Sequence, residues 1–280
     1  MLFLVIVQSR SNFGQVGQTP CHPRTCNPFR IGKLKPEVCC QWPGTAMLQI
    51  FGLTVAVALA LHSDTTRNLH VGEVFAGVGA VWRSAEGVGY RGRGFDKDSK
   101  PCVTDTEKDL PCQDLNTQTG FLNAVAMVAR ILPGGLLWLA PVCASWCWLN
   151  LSKTKRCLEN LFHGDLHYEP VRIGNHLANV TAFLLEFAVA RAVQAAMENP
   201  TGSYIWKYPP LVLSFSKAGL VWFVNTWRCA WDRSQRKPKL GKHYKFAATG
   251  DWIMALARAC PCPGRLHAKL SKEWVNDHGQ

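Results

Sequence analysis

Residues 70–89 read HVGEVFAGVGAVWRSAEGVG, and the change of pattern inside this stretch decides the fold class. The first six residues suit a strand, Gly77 and Gly79 then form a turn, and helical residues follow as far as Gly89. A second short strand ends at Asp96. A strand that leads through a glycine turn into a helix and a further strand predicts an α/β fold.

Strand and helix patterns continue to alternate towards the carboxyl end of the chain. Residues 120–132 predict a helix and residues 134–140 an apolar strand, with Pro133-Gly134-Gly135 interpreted as the break between them. Further predicted elements are a helix over 175–194, a strand over 195–199, a helix over 209–219 and a strand over 219–227. About five β-α units predict one Rossmann-like, doubly wound sheet over residues 67–227.

The segments before this domain have a different composition. Residues 1–46 contain Cys, Pro, Gly and Arg without periodicity and predict an irregular or disordered arm. Residues 47–66 predict an apolar helix, and the run over 45–63 suits a helix buried against the domain, a membrane span or a secretory signal segment. We favour the buried helix, because the run is short for a span and contains Gln49 and His62.

The charge of the chain points to an anionic partner. The 280 residues include 31 Lys and Arg against 19 Asp and Glu, a formal net charge of +12, while a hydrophobic content of 48% excludes a wholly disordered or collagen-like chain. Residues 228–280 predict a basic tail, and the residues there suited to phosphates are Arg228, Arg233, Arg236, Lys237, Lys239 and Lys242, beside Trp227 and Trp231 for stacking. DNA is the favoured partner. RNA and an anionic membrane surface are the alternative partners. The basic residues could also belong to a solvated surface turn that binds no partner.

The 12 cysteines are scattered without regular spacing, which is typical of reduced thiols in an intracellular protein rather than of a disulfide framework. Near the carboxyl end, Cys260, Cys262 and His267 have C-x-C…H spacing, and zinc would bind there if Cys229 or His243 supplied a fourth ligand. Because a paired C-x-x-C is missing, no metal is included among the predicted sites.

Polar residues gather at the predicted carboxyl ends of the strands, where ligands bind in open α/β sheets. Gly77 and Gly79 suit a nucleotide-like cofactor, either a dinucleotide or S-adenosylmethionine, and Asp96 is suited to its ribose hydroxyls. We expect the free N–H groups at the start of the following helix to face that ligand. Trp82 stands where the dinucleotide fingerprint has its third glycine, which disfavours a nicotinamide cofactor.

Two further residues at these strand ends are candidates for chemistry. Cys143 follows an apolar strand and is either a buried structural thiol or a thiolate presented at the sheet edge. Glu198 ends a later strand and is either a solvated charge or a buried acid with a raised pKa. A thiolate beside such an acid predicts nucleophilic catalysis.

These motifs, in this order, resemble those of the cytosine-5 DNA methyltransferases over roughly residues 68–240. The matching stretches are EVFAGVGAVWRSAEGVG (73–89) for the first motif D-x-F-x-G-x-G, FDKD (95–98) for the ribose-binding motif, QDLN (113–116) for the acid that contacts the adenine amino group, LAPVCASW (139–146) for the P-C nucleophile motif, AMENP (196–200) for the E-N motif and KPKL (237–240) for a K-P-x-x-L stretch of divergent, shortened members. Val142 departs from the family's usual P-P-C or F-P-C pattern, in which proline directly precedes the nucleophile, and little more than 40 residues follow Arg236 for a target-recognition domain.

The resemblance implies the fold of an S-adenosylmethionine-dependent methyltransferase and methyl transfer from that cofactor to cytosine in DNA. The implied cofactor-binding residues are Phe75, Gly77, Gly79, Asp96, Asp114 and Pro141, and the implied catalytic residues are Cys143, Glu198, Arg233 and Arg236. Cys143 would attack carbon 6 of the base, and Glu198 would hydrogen-bond ring nitrogen 3. Two other hypotheses stay open: a catalytically inactive relative that binds nucleic acid, and a membrane-anchored protein that uses residues 45–63.

Overall fold

The computed structural model describes residues 67–97, 113–231 and 241–262. The predictions for the N-terminal arm (1–46) and the apolar helix (47–66) lie outside these ranges. So do the basic residues Arg233, Arg236, Lys237 and Lys239, and His267 of the C-x-C…H pattern.

The described residues form one six-stranded mixed sheet. Its strands are β1 (Leu69–Val74), β2 (Gly92–Phe95), β3 (Ile131–Leu139), β4 (Gln194–Pro200), β5 (Trp222–Trp227) and β6 (His243–Ala248). Their order across the sheet is β2-β1-β3-β4-β6-β5, with the first four strands parallel and β6 antiparallel to both of its neighbours. The predicted α/β class is confirmed, and the sheet is compatible with a Rossmann-like fold.

Helices cover both faces of this sheet. They are α1 (Ala80–Glu86), α2 (Gln118–Ala129), α3 (Leu151–Thr154), α4 (Glu169–Ala190) and α5 (Pro209–Lys217). One core, which includes Val128, Leu184 and Leu211, packs α2, α4 and α5 on one face. The other core packs α1 and the 3-10 helix Asp251–Leu256 around Trp138. The carboxyl ends of the parallel strands therefore open between two helical layers.

The sheet continues beyond the predicted end of the domain at residue 227. The prediction assigned residues 228–280 to a basic tail, whereas β6 lies inside the sheet between β4 and β5. Phe246, Ala247 and Ala248 are buried there, and the first half of the strand is only partly buried. Because basic and polar residues surround so short an apolar run, the strand has no clear pattern of its own.

The Pro133-Gly134-Gly135 stretch is part of a strand, which corrects the prediction that it separates helix from strand. Helix α2 ends at Ala129, and β3 begins two residues later. The register of β3 against β1 shifts across this stretch, since Leu69 pairs with Ile131 but Val71 pairs with Leu136. Gly134 has φ 72° and donates its N–H to the carbonyl of Ala192 (2.7 Å). The stretch is thus a bulge, which accommodates proline and glycine within a strand.

Helix α4 begins six residues before the predicted start at Asn175 and ends before Gln194, which belongs to β4. Pro170 is tolerated because it lies in the first turn of the helix. By length and composition α4 alone among the helices of the described ranges would suit a membrane span. Its side chains Leu184 and Leu185 are fully buried in the protein core, as expected of a core helix.

Candidate active site

The turn between β1 and α1 brings the predicted glycine and acid together. Phe75, Gly77 and Gly79 all have positive φ, at 60°, 51° and 70°. Asp96, directly after β2, accepts a hydrogen bond on Oδ2 from the backbone N–H of Gly77 (2.9 Å). The turn after β1 and the acid after β2 are therefore adjacent at the carboxyl edge of the sheet, as a nucleotide-like ligand requires.

The N-terminus of α1 is already occupied by a protein carboxylate. Glu73, buried in β1, accepts hydrogen bonds on Oε2 from the backbone N–H groups of Val81 and Trp82, both at 2.9 Å. The expectation that this helix offers free N–H groups to a ligand is thus wrong for these two groups. The reason is the buried carboxylate itself, which needs donors when it is removed from water.

Burial raises the pKa of Glu73 from its ordinary value of 4.5 to about 7, although the hydrogen bonds from Trp82 and Val81 oppose the shift. The negative charge of Glu198 raises the pKa of Glu73 further, so the two carboxyl groups influence each other. Glu73 belongs to the stretch 70–89, but its position on the predicted strand does not reveal that its side chain caps the following helix.

Trp82 explains three of the glycines in this region. A Cβ atom at Gly79 or Gly94 would collide with the indole of Trp82, and one at Gly92 would crowd its backbone carbonyl. Gly79 is therefore required by protein packing. Gly77 differs, since no atom lies within 4 Å of the position that a Cβ would take there. Of the two predicted glycines, Gly77 is the one that leaves open space at the strand end.

Asp114 is linked to the Asp96 region by a hydrogen bond of its neighbour Gln113. The side-chain oxygen of Gln113 accepts a hydrogen bond from the backbone N–H of Asp96 (2.9 Å). Asp114 itself accepts two hydrogen bonds on Oδ1 from Asn116, one from the backbone N–H and one from the side-chain amide, both at 2.9 Å. This arrangement fixes one carboxylate oxygen in the turn that precedes α2.

The loop that carries Cys143 is fastened to the strand that carries Glu198. Pro141 is buried after β3, Val142 is 52% exposed and Cys143 is half-buried. Asn199, the residue after Glu198, donates a buried hydrogen bond from Nδ2 to the carbonyl of Pro141 (2.7 Å). The loop after β3 and the end of β4 are therefore joined directly, two residues before the thiol and one residue after the acid.

Glu198 has the electrostatic environment that the sequence predicts for a functional acid. Burial raises its pKa from 4.5 to about 7, while the positive charge of Lys242 and a hydrogen bond with Trp138 oppose the shift. A carboxyl group with this pKa is present in both protonation states near neutral pH. It can therefore donate a proton or hold a charge, which are the two requirements of acid–base chemistry.

Arg156 holds the loop on the other side of Cys143. Its side chain is 1% exposed and donates to the carbonyl of Ser145 (2.8 Å), the carbonyl of Phe162 (2.6 Å) and Oδ1 of Asn175 (2.7 Å). Its guanidinium also stacks 3.4 Å above the ring centroid of Trp146. This network orients the 3-10 turn Ala144–Trp146 that directly follows Cys143.

The sequence contains no signal that distinguishes Arg156 from the surface lysines and arginines around it. Its partners come from three separate segments of the chain, so only the folded structure reveals the network. Asn199 is different, because it stands inside the AMENP motif that the sequence singles out for Glu198. Its role of fastening the loop after β3 to β4 is visible only in the folded structure.

Two of the predicted nucleic-acid-binding residues are described. The backbone N–H of Arg228 donates to the carbonyl of Lys242 (2.8 Å), so the two residues flank β5 and β6 on one side. The ammonium of Lys242 lies 4.9 Å from the ring centroid of Tyr244, and its charge reaches Glu198. Lys242 therefore connects the basic segment with the candidate acid.

The edge of the loop after Cys143 is apolar and exposed. Trp148 is 61% exposed and Leu149 is 68% exposed, next to the exposed Val142. Trp148 also lies beside Gly202, in the turn that follows β4. Exposed aromatic side chains are suited to stacking against bases.

A comparison of the chain with protein-family models found no match. Curated proteins searched in the same way also returned no match.

Proposed function

We propose that this protein is a methyltransferase that transfers a methyl group from S-adenosylmethionine to carbon 5 of cytosine in DNA. Cys143 is the nucleophile and Glu198 the acid that binds the base. The observation that carries the proposal is the buried 2.7 Å hydrogen bond from Asn199 to the carbonyl of Pro141. It joins the two chain segments that must act together on one base.

The topology of the sheet supports the methyltransferase type of fold. Sheets of that type contain one antiparallel strand inserted beside the last parallel strands, and β6 has this position between β4 and β5. The insertion leaves the carboxyl ends of β1, β2, β3 and β4 at one edge. The proposed functional residues among the described ones follow or end those four strands, except for Arg228, Lys242 and Asp114, which lies in the turn before α2.

The residues at the β1 and β2 ends fit S-adenosylmethionine. Gly77 offers open space at a positive φ, and the carboxylate of Asp96 lies against its N–H, ready to accept hydrogen bonds from ribose hydroxyls as well. Phe75 is half-buried beside the turn and would contact the adenine, and Asp114 would contact its amino group. Pro141 would then border the cofactor on the side of Cys143.

The chemistry assigned to Cys143 begins with a covalent bond from its sulfur to carbon 6 of the base. The electron pair of the 5,6 double bond moves to carbon 5 and is delocalised towards ring nitrogen 3, where protonated Glu198 donates a hydrogen bond. S-adenosylmethionine, when bound, would supply the methyl group to carbon 5, with the bond between methyl and sulfonium sulfur broken and S-adenosylhomocysteine as the leaving group. Loss of the carbon 5 proton to solvent base and departure of the Cys143 thiolate then restore the double bond.

DNA reaches such a site only if the base leaves the duplex, which requires contacts to the phosphates and to neighbouring bases. Lys242 and Arg228 lie on the side of Glu198 and would bind phosphates, together with Arg233, Arg236, Lys237 and Lys239 of the adjoining sequence. Arg233 and Arg236 are also the proposed counterparts of the catalytic arginines of the family. Exposed Trp148 provides a surface on which a displaced neighbour could stack.

Covalent trapping tests this proposal. Full-length protein is incubated with S-adenosylmethionine and DNA that contains 5-fluorocytosine, whose fluorine cannot leave as a proton does. We expect a complex that survives denaturation in the wild type and is lost in Cys143→Ser. Cys147→Ser is the matched control, because Cys147 is also a half-buried cysteine of the same loop, and it should retain the complex. Absence of the complex in the wild type, together with absence of methyl transfer, would refute the proposal.

The second candidate function is DNA binding without catalysis, and exposed Val142 favours it. This residue stands directly before Cys143, where the resembling family has proline, so the loop lacks one of its usual rigid positions. A non-catalytic protein would bind DNA with an affinity that falls steeply as salt concentration rises, yet would transfer no methyl group. Methyl transfer that depends on Cys143 would exclude it.

A further inference from the structure

Three cysteines outside the candidate active site form a cluster. Cys229 lies in the 3-10 helix Arg228–Ala230 directly after β5, while Cys260 and Cys262 follow the 3-10 helix Asp251–Leu256. Their three sulfur atoms all lie within 4.8 Å of one another. Metal-binding groups of three or more side chains can be built from His, Cys, Asp or Glu. Among the described residues, these three cysteines are the one such group.

The distances inside the cluster are those of ligands around a common centre. The Sγ atoms of Cys229 and Cys260 are 3.5 Å apart, and the backbone N–H of Cys262 donates to Sγ of Cys260 (3.4 Å). Zinc–sulfur bonds of about 2.3 Å at tetrahedral angles separate two sulfur ligands by about 3.8 Å. A backbone N–H that donates to a sulfur is the usual outer-shell partner of a metal-bound thiolate.

The surrounding backbone brings the three cysteines together independently of any metal. Thr226 of β5 forms a parallel β-bridge with Arg258, and the N–H of Trp227 donates to the carbonyl of Arg258 (3.4 Å). The guanidinium of Arg258 lies 3.8 Å from the ring centroid of Trp231. Arg258, two residues before Cys260, is therefore bonded to the end of β5. These contacts position the sulfur atoms before any metal binds.

We propose that Cys229, Cys260 and Cys262 bind a zinc ion through three thiolates. The ion would connect the end of β5 to the segment that follows the last 3-10 helix, and its role would be structural. Soft thiolate ligands select zinc over magnesium or calcium, and structural zinc sites commonly contain three or four cysteine ligands. This inference does not depend on the proposed function.

Of the two fourth ligands that the sequence suggests, His243 is not a member of the cluster. Its ring instead stacks on Trp227, with centroids 4.4 Å apart and planes 11° apart. The C-x-C…H pattern adds His267, which lies outside the described residues. The zinc proposal therefore rests on the three sulfur atoms, and Cys229 supplies the ligand that the C-x-C pattern lacked.

A disulfide between Cys229 and Cys260 is the competing explanation. A disulfide bond is about 2.05 Å long, so the 3.5 Å separation is that of two thiols, and a disulfide would leave Cys262 unpaired beside it. In a reducing compartment a metal is the usual partner of three clustered thiols. The two explanations differ in metal content and in the number of free thiols.

Elemental analysis of the full-length protein, purified under reducing conditions without added metal, tests the proposal. We expect one zinc per chain and no iron or copper. Cys262→Ser should reduce zinc affinity by more than the roughly 10-fold to 100-fold that follows loss of an outer-shell partner. Cys157→Ser is the matched control, because Cys157 is a half-buried cysteine outside the cluster, and it should keep the zinc.

The choice of variant and a cobalt-substitution experiment distinguish loss of a zinc ligand from misfolding as the cause of lost zinc binding. Cys262 is preferred to buried Cys229 for substitution because it is partly exposed. Replacement of zinc by cobalt in the wild type should produce intense sulfur-to-cobalt absorption bands, which Cys262→Ser weakens while its circular dichroism stays unchanged. A metal-free wild type, a metal other than zinc, a Cys229–Cys260 disulfide by mass spectrometry, or unchanged zinc affinity in Cys262→Ser would overturn the proposal.

Discussion

Strands β1 and β4 each carry a glutamate whose pKa is raised to about 7, but Glu73 is buried whereas Glu198 is half-buried, and the two glutamates have different partners. In the first region Glu73 accepts two backbone hydrogen bonds at the start of α1. In the second region Glu198 has the indole of Trp138 and the charge of Lys242, beside a loop that carries a thiol. Both carboxyl groups are shifted mainly by burial, so the shift does not tell them apart.

The hydrogen-bond partners of an acid with a raised pKa distinguish a structural role from a functional one. Glu73 satisfies donors that the fold itself would otherwise leave unpaired, which is a structural task. Glu198 instead has a hydrogen bond with Trp138 and the positive charge of Lys242, and it precedes Asn199, which is bonded to the loop that carries Cys143. A raised pKa therefore identifies a candidate, and the hydrogen bonds around it decide its role.

The largest effect should come from Glu198→Gln. We expect methyl transfer to DNA to fall by roughly 100-fold to 10,000-fold, because the amide cannot donate and regain a proton at ring nitrogen 3. Transfer of a radiolabelled methyl group measures this, with thermal unfolding as the check on folding. Should Glu73→Gln reduce transfer as much while leaving stability intact, the proposed division of roles between the two acids would be wrong.

The next effect is on stability and concerns Glu73→Ala. This change leaves the N–H groups of Val81 and Trp82 without their acceptor at a buried helix start, and each such group costs about 1–3 kcal/mol. We expect the free energy of unfolding in urea to fall by about 2–4 kcal/mol. Glu73→Gln keeps an acceptor oxygen and should lose less, which makes it the matched control.

The raised pKa values of Glu73 and Glu198 should make the stability of the protein depend on pH. In the folded chain both glutamates have a pKa of about 7 against an ordinary 4.5, so each contributes stability that is fully present below pH 4.5 and lost as the pH rises to 7. The upper limit is about 3 kcal/mol for each group.

The contribution of Glu198 to the pH dependence of stability can be separated from that of the histidines by comparing the wild type with a variant. Burial lowers the pKa of His163, which makes stability rise with pH in part of the same range. The free energy of unfolding of the wild type minus that of Glu198→Gln should therefore be plotted between pH 4.5 and 8, and it should decrease with pH. A flat difference would show that Glu198 is not desolvated as described.

The smallest effect should come from Asn199→Ala, which removes the hydrogen bond to Pro141. We expect a loss of about 1–2 kcal/mol in the free energy of unfolding, since the buried carbonyl of Pro141 loses its donor. Covalent trapping by Cys143 should slow in parallel, because the loop is no longer fastened to β4. Normal trapping in a destabilised Asn199→Ala protein would mean that the link serves stability alone.

Local patterns were sufficient for much of this molecule. The alternation of apolar runs and helical stretches predicted the α/β class, and β1, β2, β4 and α5 lie within two residues or so of their predicted positions. Gly77 and Asp96 were placed at one edge because parallel strands end on the same side of a sheet. These features depend on neighbours in sequence and on a general rule of sheet topology.

Other features depend on contacts that no local pattern contains. The Pro133-Gly134-Gly135 bulge lies within β3 because the preceding helix ends early and Gly134 bonds to Ala192, some 60 residues away along the chain. Strand β6 joins the sheet because it fits between β4 and β5, despite its basic flanks.

The roles of individual polar side chains divide in the same way. Residue type and spacing were enough to single out Cys143, Glu198 and the C-x-C pair of Cys260 and Cys262. The tertiary structure decided that Glu73 caps a helix, that Asn199 fastens the loop after β3 to β4 and that Cys229 completes a thiol cluster. The physical reason is that a buried polar atom must find its partner wherever the fold brings one within reach, and that distance is not encoded in sequence separation.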